Sequence, residues 1–119
     1  MQKVCHCAIL ILVLYSASVS ALFGHAILLS AIPAAKQVVN GPDVPIRLRF
    51  NSRIDARRSR ITLVASDGTQ AALTIAKQTS ADTLSAQAKA LKRGSYVLRW
   101  QVLATDGHIT RGEVPFQVQ

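Results

Sequence analysis

Apolar and polar residues alternate along much of the chain beyond residue 25. In residues 44–50, VPIRLRF, a proline and two arginines separate the apolar positions Val44, Ile46, Leu48 and Phe50. This period of two predicts a β-strand with one buried face and one solvent-facing face. Pro45 cannot donate a ladder hydrogen bond, so it places this strand at a sheet edge or marks the start of the strand.

Six further segments predict short strands: residues 26–30, 60–65, 70–76, 83–88, 95–104 and 113–119. The longest, SYVLRWQVLA, places four large residues on one face, namely Tyr96, Leu98, Trp100 and Val102. The last directs Val114, Phe116 and Val118 inward. Residues 66–69, SDGT, predict a hairpin turn, and residues 51–59 predict a loop or short helical turn. About seven short strands with turns between them favour an all-β antiparallel sandwich or barrel.

Residues 1–24 have the order of a secretory signal peptide. A basic start is followed by the apolar run AILILVLY, residues 8–15, and by small residues up to Gly24. The run is shorter than the roughly 20 residues that cross a bilayer. We therefore expect an exported protein whose mature domain comprises residues 25–119.

The sequence is compatible with two signal-peptide cleavage sites. Small residues at the −3 and −1 positions favour cleavage after Ala21, where Val19 and Ala21 occupy them. Cleavage after Gly24 places Leu22 at −3 but makes His25 the new N-terminus. We prefer the second site because it makes the candidate metal site described below coherent.

Removal of the signal peptide also removes every sulfur atom from the chain. Cys5, Cys7 and the single methionine, Met1, all lie within it. The mature domain therefore contains no disulfide, no thiolate ligand and no thioether ligand for Cu(I).

The mature domain is strongly basic, with 13 Lys and Arg against 6 Asp and Glu. Export argues against nucleic acid, and no aromatic residues that could stack bases accompany the basic cluster. That cluster is either a solvated loop or a surface for an anionic membrane or an acidic partner, and it comprises Arg53, Arg57, Arg58 and Arg60.

The candidate chemistry lies in the motif Asp106-Gly107-His108. On extended backbone, side chains two residues apart point to the same face, so the carboxylate and the imidazole could share one ion. Asp-Gly-His is equally an Asx turn with an exposed histidine. His25 changes the balance, because an N-terminal histidine offers both its α-amine and its ring nitrogen to a metal. A nitrogen-rich site with a carboxylate suits Cu(II), whereas Zn²⁺ prefers a tetrahedral arrangement.

These features resemble the CopC family of periplasmic copper-binding proteins. The resemblance covers residues 25–119 and is carried by HAILLSAIP (25–33), IRLRF (46–50) and GSYVLRWQVLATDGHITRGEVPFQV (94–118). It implies a seven-stranded Greek-key sandwich, immunoglobulin-like or cupredoxin-like. It also implies one Cu(II) ion bound by the amine and ring of His25 and the ring of His108, with Asp106 at or near the metal.

The same resemblance implies a monomeric periplasmic copper carrier or chaperone for resistance or uptake, with a CopD-like inner-membrane protein as partner. Some members of the family have a glutamate after the phenylalanine of the second strand, where it supports the N-terminal histidine. This chain reads FNSR at residues 50–53, so Asn51 or Ser52 is the candidate replacement.

Two other functions fit the residues. One is a metal-free immunoglobulin-like interaction module in which residues 106–108 are only a turn. The other is a copper enzyme, which needs an open coordination position and a substrate surface. The sequence offers no acid–base set for such chemistry, so we expect a non-enzymatic protein.

Overall fold

A computed structural model describes residues 25–119. The predicted signal peptide and both candidate cleavage sites lie outside the described residues. The described part contains eight strands and one short 3₁₀-helix: β1 (Leu28–Ile32), β2 (Val38–Val39), β3 (Val44–Phe50), η1 (Ala56–Arg58), β4 (Arg60–Ala65), β5 (Gln70–Leu73), β6 (Thr83–Ala88), β7 (Gly94–Leu103) and β8 (Ile109–Val118). Within residues 25–119, no helix is long and apolar enough to span a bilayer.

The strands form two sheets, which confirms the predicted all-β sandwich. One sheet has the order β1-β3-β6 and the other has the order β2-β8-β7-β4-β5. All neighbours are antiparallel except β2, which pairs in parallel with β8 through Val38 and Val39. The prediction of seven antiparallel strands therefore missed β2, because two residues are too few to show a period.

Strand boundaries follow the alternation where both faces of the strand differ clearly. β3, β4 and β6 begin and end as predicted. β8 begins at Ile109 rather than at residue 113, because β7 pairs with it along its whole length, down to Leu103 opposite Ile109. Gly112 hides this extension in the sequence, yet the position needs glycine, since a Cβ there would collide with the ring of Trp100.

Both sheets contribute to one core, and every predicted inward residue of β3, β7 and β8 is buried. Phe50 of the first sheet packs edge-on against Trp100 of the second, with ring centroids 5.1 Å apart. β1 pairs with β3 only from Arg47 onward, so Pro45 lies at the start of a central strand and not at an edge.

Residues 51–59 and 104–108 meet at one end of the sandwich, as a loop with a short helical turn and a hairpin turn. The amide of Thr105 donates to the Arg53 carbonyl at 3.1 Å, and the amide of Asp55 donates to the Leu103 carbonyl at 2.9 Å. Ile54 and Ala104 form an isolated antiparallel bridge between these contacts. We refer to residues 25–27, 51–59 and 104–109 together as the histidine end.

Candidate metal centre

The turn between β7 and β8 holds two of the three predicted ligands. The amide of Ala104 donates to the His108 carbonyl and the amide of Gly107 donates to the Ala104 carbonyl, both at 2.9 Å. Gly107 has φ of +93°, a conformation that other residues adopt at a cost. The Asx turn expected from Asp-Gly-His is therefore present, because the His108 amide donates to Asp106 Oδ1 at 3.1 Å.

The Asp106 side chain also orients the imidazole of His108. Asp106 Oδ2 lies 3.1 Å from His108 Nδ1, so both carboxylate oxygens face the same residue. With Nδ1 engaged in this way, Nε2 is the ring nitrogen that remains free for a metal. A carboxylate behind a histidine is the common arrangement for fixing the tautomer and orientation of a metal ligand.

The hydrogen bond from the His108 amide, and then the contact with the His108 ring, hold the pKa of Asp106 below its usual range. Asp106 is therefore a carboxylate at neutral pH. It can accept a hydrogen bond from a protonated Nδ1 of His108 or attract a nearby cation. The side chains of Asp106 and His108 are 29% and 49% exposed, which leaves the turn open to incoming ions.

His25 lies at the start of the described chain, just before β1, and is exposed. Asn51 holds this segment in place through two hydrogen bonds with the backbone of Ile27. The Ile27 amide donates to Asn51 Oδ1 at 2.7 Å, and the Asn51 amide donates to the Ile27 carbonyl at 3.0 Å. Ala26, which lies between His25 and Ile27, is buried and anchors the segment in the core.

The fold brings His25 and His108 together although they lie far apart in the sequence. Their ring centroids are 5.7 Å apart and the rings are inclined by 73°. Imidazole nitrogens bind metals at about 2.0 Å, so two of them on one ion are at most about 4 Å apart, with ring centres somewhat farther. The observed separation therefore fits two imidazoles sharing one ion.

Within residues 25–119, no group of three or more His, Cys, Asp or Glu side chains converges as a preformed metal cluster. In the turn, both oxygens of Asp106 contact His108. The two imidazoles are the candidate ligands that the fold brings together. The α-amine of His25 would offer a further nitrogen only if the chain is cleaved after Gly24, as predicted.

Of the two candidates for supporting His25, Asn51 has a clear structural role, because it fixes the backbone two residues beyond the histidine. Ser52 Oγ is buried and has no hydrogen-bond partner in the part of the chain that the structure describes. Neither side chain bonds the imidazole of His25 within that part. Their predicted contact with the histidine ring stays a prediction.

The four arginines predicted as a surface are all exposed and lie at or beside the histidine end. Arg111 of β8 is a further exposed basic residue beside this surface, and it was not among the predicted ones. Its outward direction follows from the alternation in β8, and that signal was lost because the strand was predicted to begin only at residue 113.

The comparisons with known proteins agree with the fold. A family model described as the CopC domain matches residues 28–119. The crystal structure of CopC from Methylosinus trichosporium OB3b is 32% identical, with a TM-score of 0.72 over 80% of this chain and 94% of that one. PcoC from Escherichia coli, described as a methionine-rich copper resistance protein, is 22% identical, with a TM-score of 0.70 over 81% of this chain and 100% of that one. None of the curated proteins matches the chain.

Proposed function

The chain belongs to the CopC family, and from this premise we propose that it is a periplasmic Cu(II) carrier in copper resistance or uptake. One Cu(II) ion is bound by His25 and His108, with Asp106 beside them. The observation that carries the proposal is the approach of the two imidazoles, whose centroids are 5.7 Å apart at the exposed histidine end.

Cleavage after Gly24 completes the donor set. His25 then contributes its α-amine and its ring, and His108 contributes Nε2. Three nitrogens with a nearby carboxylate form the N,O donor set that Cu(II) favours in tetragonal geometry. Asp106 serves in one of two ways, either by holding Nδ1 of His108 as it does here or by turning one oxygen onto the metal.

The exposure of the site suits a carrier. His25 and His108 both lie at the histidine end, and both are exposed in the part of the chain that the structure describes. An incoming ligand can therefore reach the ion without unfolding of the domain. We propose delivery to or from a CopD-like inner-membrane protein, and a carrier that transfers an ion unchanged needs no catalytic residue.

Cu(II) titration of the processed protein tests this proposal. We expect one equivalent to bind with a d–d absorption band, and His108→Ala to lower the affinity by more than about a hundredfold, because loss of a ligand exceeds the tenfold to hundredfold typical of outer-shell changes. His25→Ala keeps the amine but removes the ring, so it should lower the affinity as well. An affinity unchanged by His108→Ala, with native circular dichroism, would refute the site.

One observation supports the metal-free interaction module as a second candidate. The turn at residues 104–108 satisfies its own hydrogen bonds without an ion. This alternative expects no tight Cu(II) complex in the same titration, even when mass spectrometry shows that the chain begins at His25.

A further inference from the structure

Exposed arginines surround the histidine end. Arg53, Arg57 and Arg58 lie on the loop that the backbone contacts of Arg53 and Asp55 attach to the turn at residues 104–108. The amide that bonds the Arg53 carbonyl is that of Thr105, the residue before Asp106. The loop that carries these arginines therefore lies directly beside the turn with the candidate copper ligands, a proximity that the sequence separation conceals.

The basic surface continues across the outer face of the larger sheet. Arg60 of β4 lies opposite Gln101 of β7, which in turn lies opposite Arg111 of β8. Arg111 Nε donates to Gln101 Oε1 at 2.9 Å, which fixes its side chain on this face. The next row toward the histidine end contains Ile109, which directly follows His108.

The acids of this region are already engaged within the fold. Asp55 accepts hydrogen bonds from the amides of Arg57 and Arg58 and lies 3.8 Å from the Arg58 guanidinium. Asp106 faces His108, and Glu113 pairs with Arg99 at 3.0 Å. In the part of the chain that the structure describes, these three carboxylates are outnumbered by six guanidinium groups, the five arginines above and Arg99, so this surface has a net positive charge.

We propose that this arginine surface (Arg53, Arg57, Arg58, Arg60 and Arg111) is the docking site for an acidic segment of a protein that exchanges copper with the histidines. The inference rests on the proposed function and adds to it the location and the charge of the partner's contact. All five basic residues are arginines, whose planar guanidinium groups bind carboxylates in a bidentate manner.

Two exposed apolar residues at this end favour a protein over a lipid surface. Ile27 and Ile109 are 59% and 50% exposed, and each is close in sequence to one histidine. Membrane attachment scales with the apolar area that enters the bilayer, and a few exposed side chains such as Ile27, Leu29 and Ile109 supply little of it. A small apolar centre with a charged rim is typical of protein interfaces. An acidic segment also brings carboxylate oxygens close to the ion.

Charge reversal at the two ends of the sandwich tests the inference. One variant carries Arg57→Glu, Arg58→Glu and Arg111→Glu. The matched control carries Lys89→Glu, Lys92→Glu and Arg93→Glu, exposed positions before β7 at the opposite end. The probe is a short fluorescent peptide of alternating glutamate and alanine, added to the Cu(II)-loaded processed protein. Anisotropy reports binding, and quenching by the paramagnetic ion reports proximity to the metal.

We expect the histidine-end variant to bind the peptide about tenfold or more weakly and to lose the Cu(II)-dependent quenching. The control should stay within about twofold. Equal weakening of both variants, or binding without quenching, would overturn the inference. Binding to phosphatidylglycerol vesicles in preference to the peptide would also overturn it, in favour of a membrane. Loss of Cu(II) uptake by wild type would instead refute the proposed function.

Discussion

Two turns at opposite ends of the sandwich have nearly the same sequence and the same geometry. Residues 65–69 read ASDGT and residues 104–108 read ATDGH. In each turn the amide of the first alanine donates to the carbonyl of the last residue, at 2.9 Å in both cases. Each aspartate accepts from the amide two residues later, at 2.9 Å in the first turn and 3.1 Å in the second. The glycines have φ of +87° and +93°.

The difference between the turns lies in one side chain and its neighbours. Thr69 occupies in the first turn the position that His108 occupies in the second. His25 lies beside the second turn, next to His108. Ala65 pairs with Tyr96 at the other end of β7, which places the first turn about 20 Å or more from the histidines. The hairpin backbone is therefore a structural device used twice, and the candidate chemistry depends on the convergence of two histidines.

The strongest way to break the comparison is to exchange the last residues of the two turns. The double variant Thr69→His/His108→Thr keeps composition, charge and both Asp-Gly pairs, but it moves the imidazole away from His25. We expect a Cu(II) affinity lower by more than about a hundredfold with an unchanged fold, as measured by titration and circular dichroism. A retained affinity would show that an Asp-Gly-His turn suffices by itself.

The two aspartates separate the structural role from the metal-related role. Asn in place of Asp keeps the oxygen that caps the turn but removes the negative charge. We expect Asp106→Asn to lower Cu(II) affinity by about tenfold to a hundredfold, because the carboxylate orients His108 or binds the ion. Asp67→Asn should leave the affinity unchanged. Equal Cu(II) affinities for the two variants would contradict a metal-related role for Asp106.

The two glycines should respond alike, because the positive φ is the same requirement in both turns. Gly68→Ala and Gly107→Ala each meet no steric obstacle, since no atom lies within 4 Å of a Cβ at either position. We expect each substitution to lower the free energy of unfolding by about 1 kcal/mol, the cost of the left-handed conformation. Chemical denaturation measures this change. A much larger loss of stability for one of the two variants would show that the turns are not equivalent.

Acid should weaken both turns in the same direction. The amide of Thr69 lowers the pKa of Asp67, and the amide of His108 lowers the pKa of Asp106. A lowered pKa in the folded state stabilises the fold above the unfolded value of about 3.9, and this contribution disappears as pH falls through the folded pKa. Denaturation at pH near 6 and near 2 should show a smaller loss for Asp67→Asn or Asp106→Asn than for wild type. If both variants lost as much free energy of unfolding between these pH values as wild type does, the two carboxylates would not be the cause of the acid sensitivity.

Most of the fold could be predicted from the sequence because alternation marks a half-buried strand directly, as in β3, β4 and β6. β2 was missed because a two-residue strand has no measurable period. The start of β8 was missed because Gly112 interrupts the alternation to make room for Trp100. Where packing against a neighbouring residue determines the structure, the local sequence pattern does not predict it.

The sequence singled out the candidate residues, but it did not indicate how the fold surrounds them. His25 and His108 stood out because they are the two histidines of residues 25–119, whereas their approach depends on the pairing of distant strands. The two hydrogen bonds of Asn51 with Ile27, and the contact of the arginine loop with the turn, likewise join segments far apart in sequence. No spacing rule along the chain encodes such contacts.

Pulsed EPR of the Cu(II)-loaded protein, with its N-terminus at His25 verified by intact mass, tests the central claim most directly. The remote nitrogen of each bound imidazole modulates the echo, so the number of ring ligands is measured. We predict two equatorial imidazoles in wild type and one in the Thr69→His/His108→Thr variant. A single imidazole in wild type, or a modulation pattern unchanged by the exchange, would contradict a copper site shared by His25 and His108.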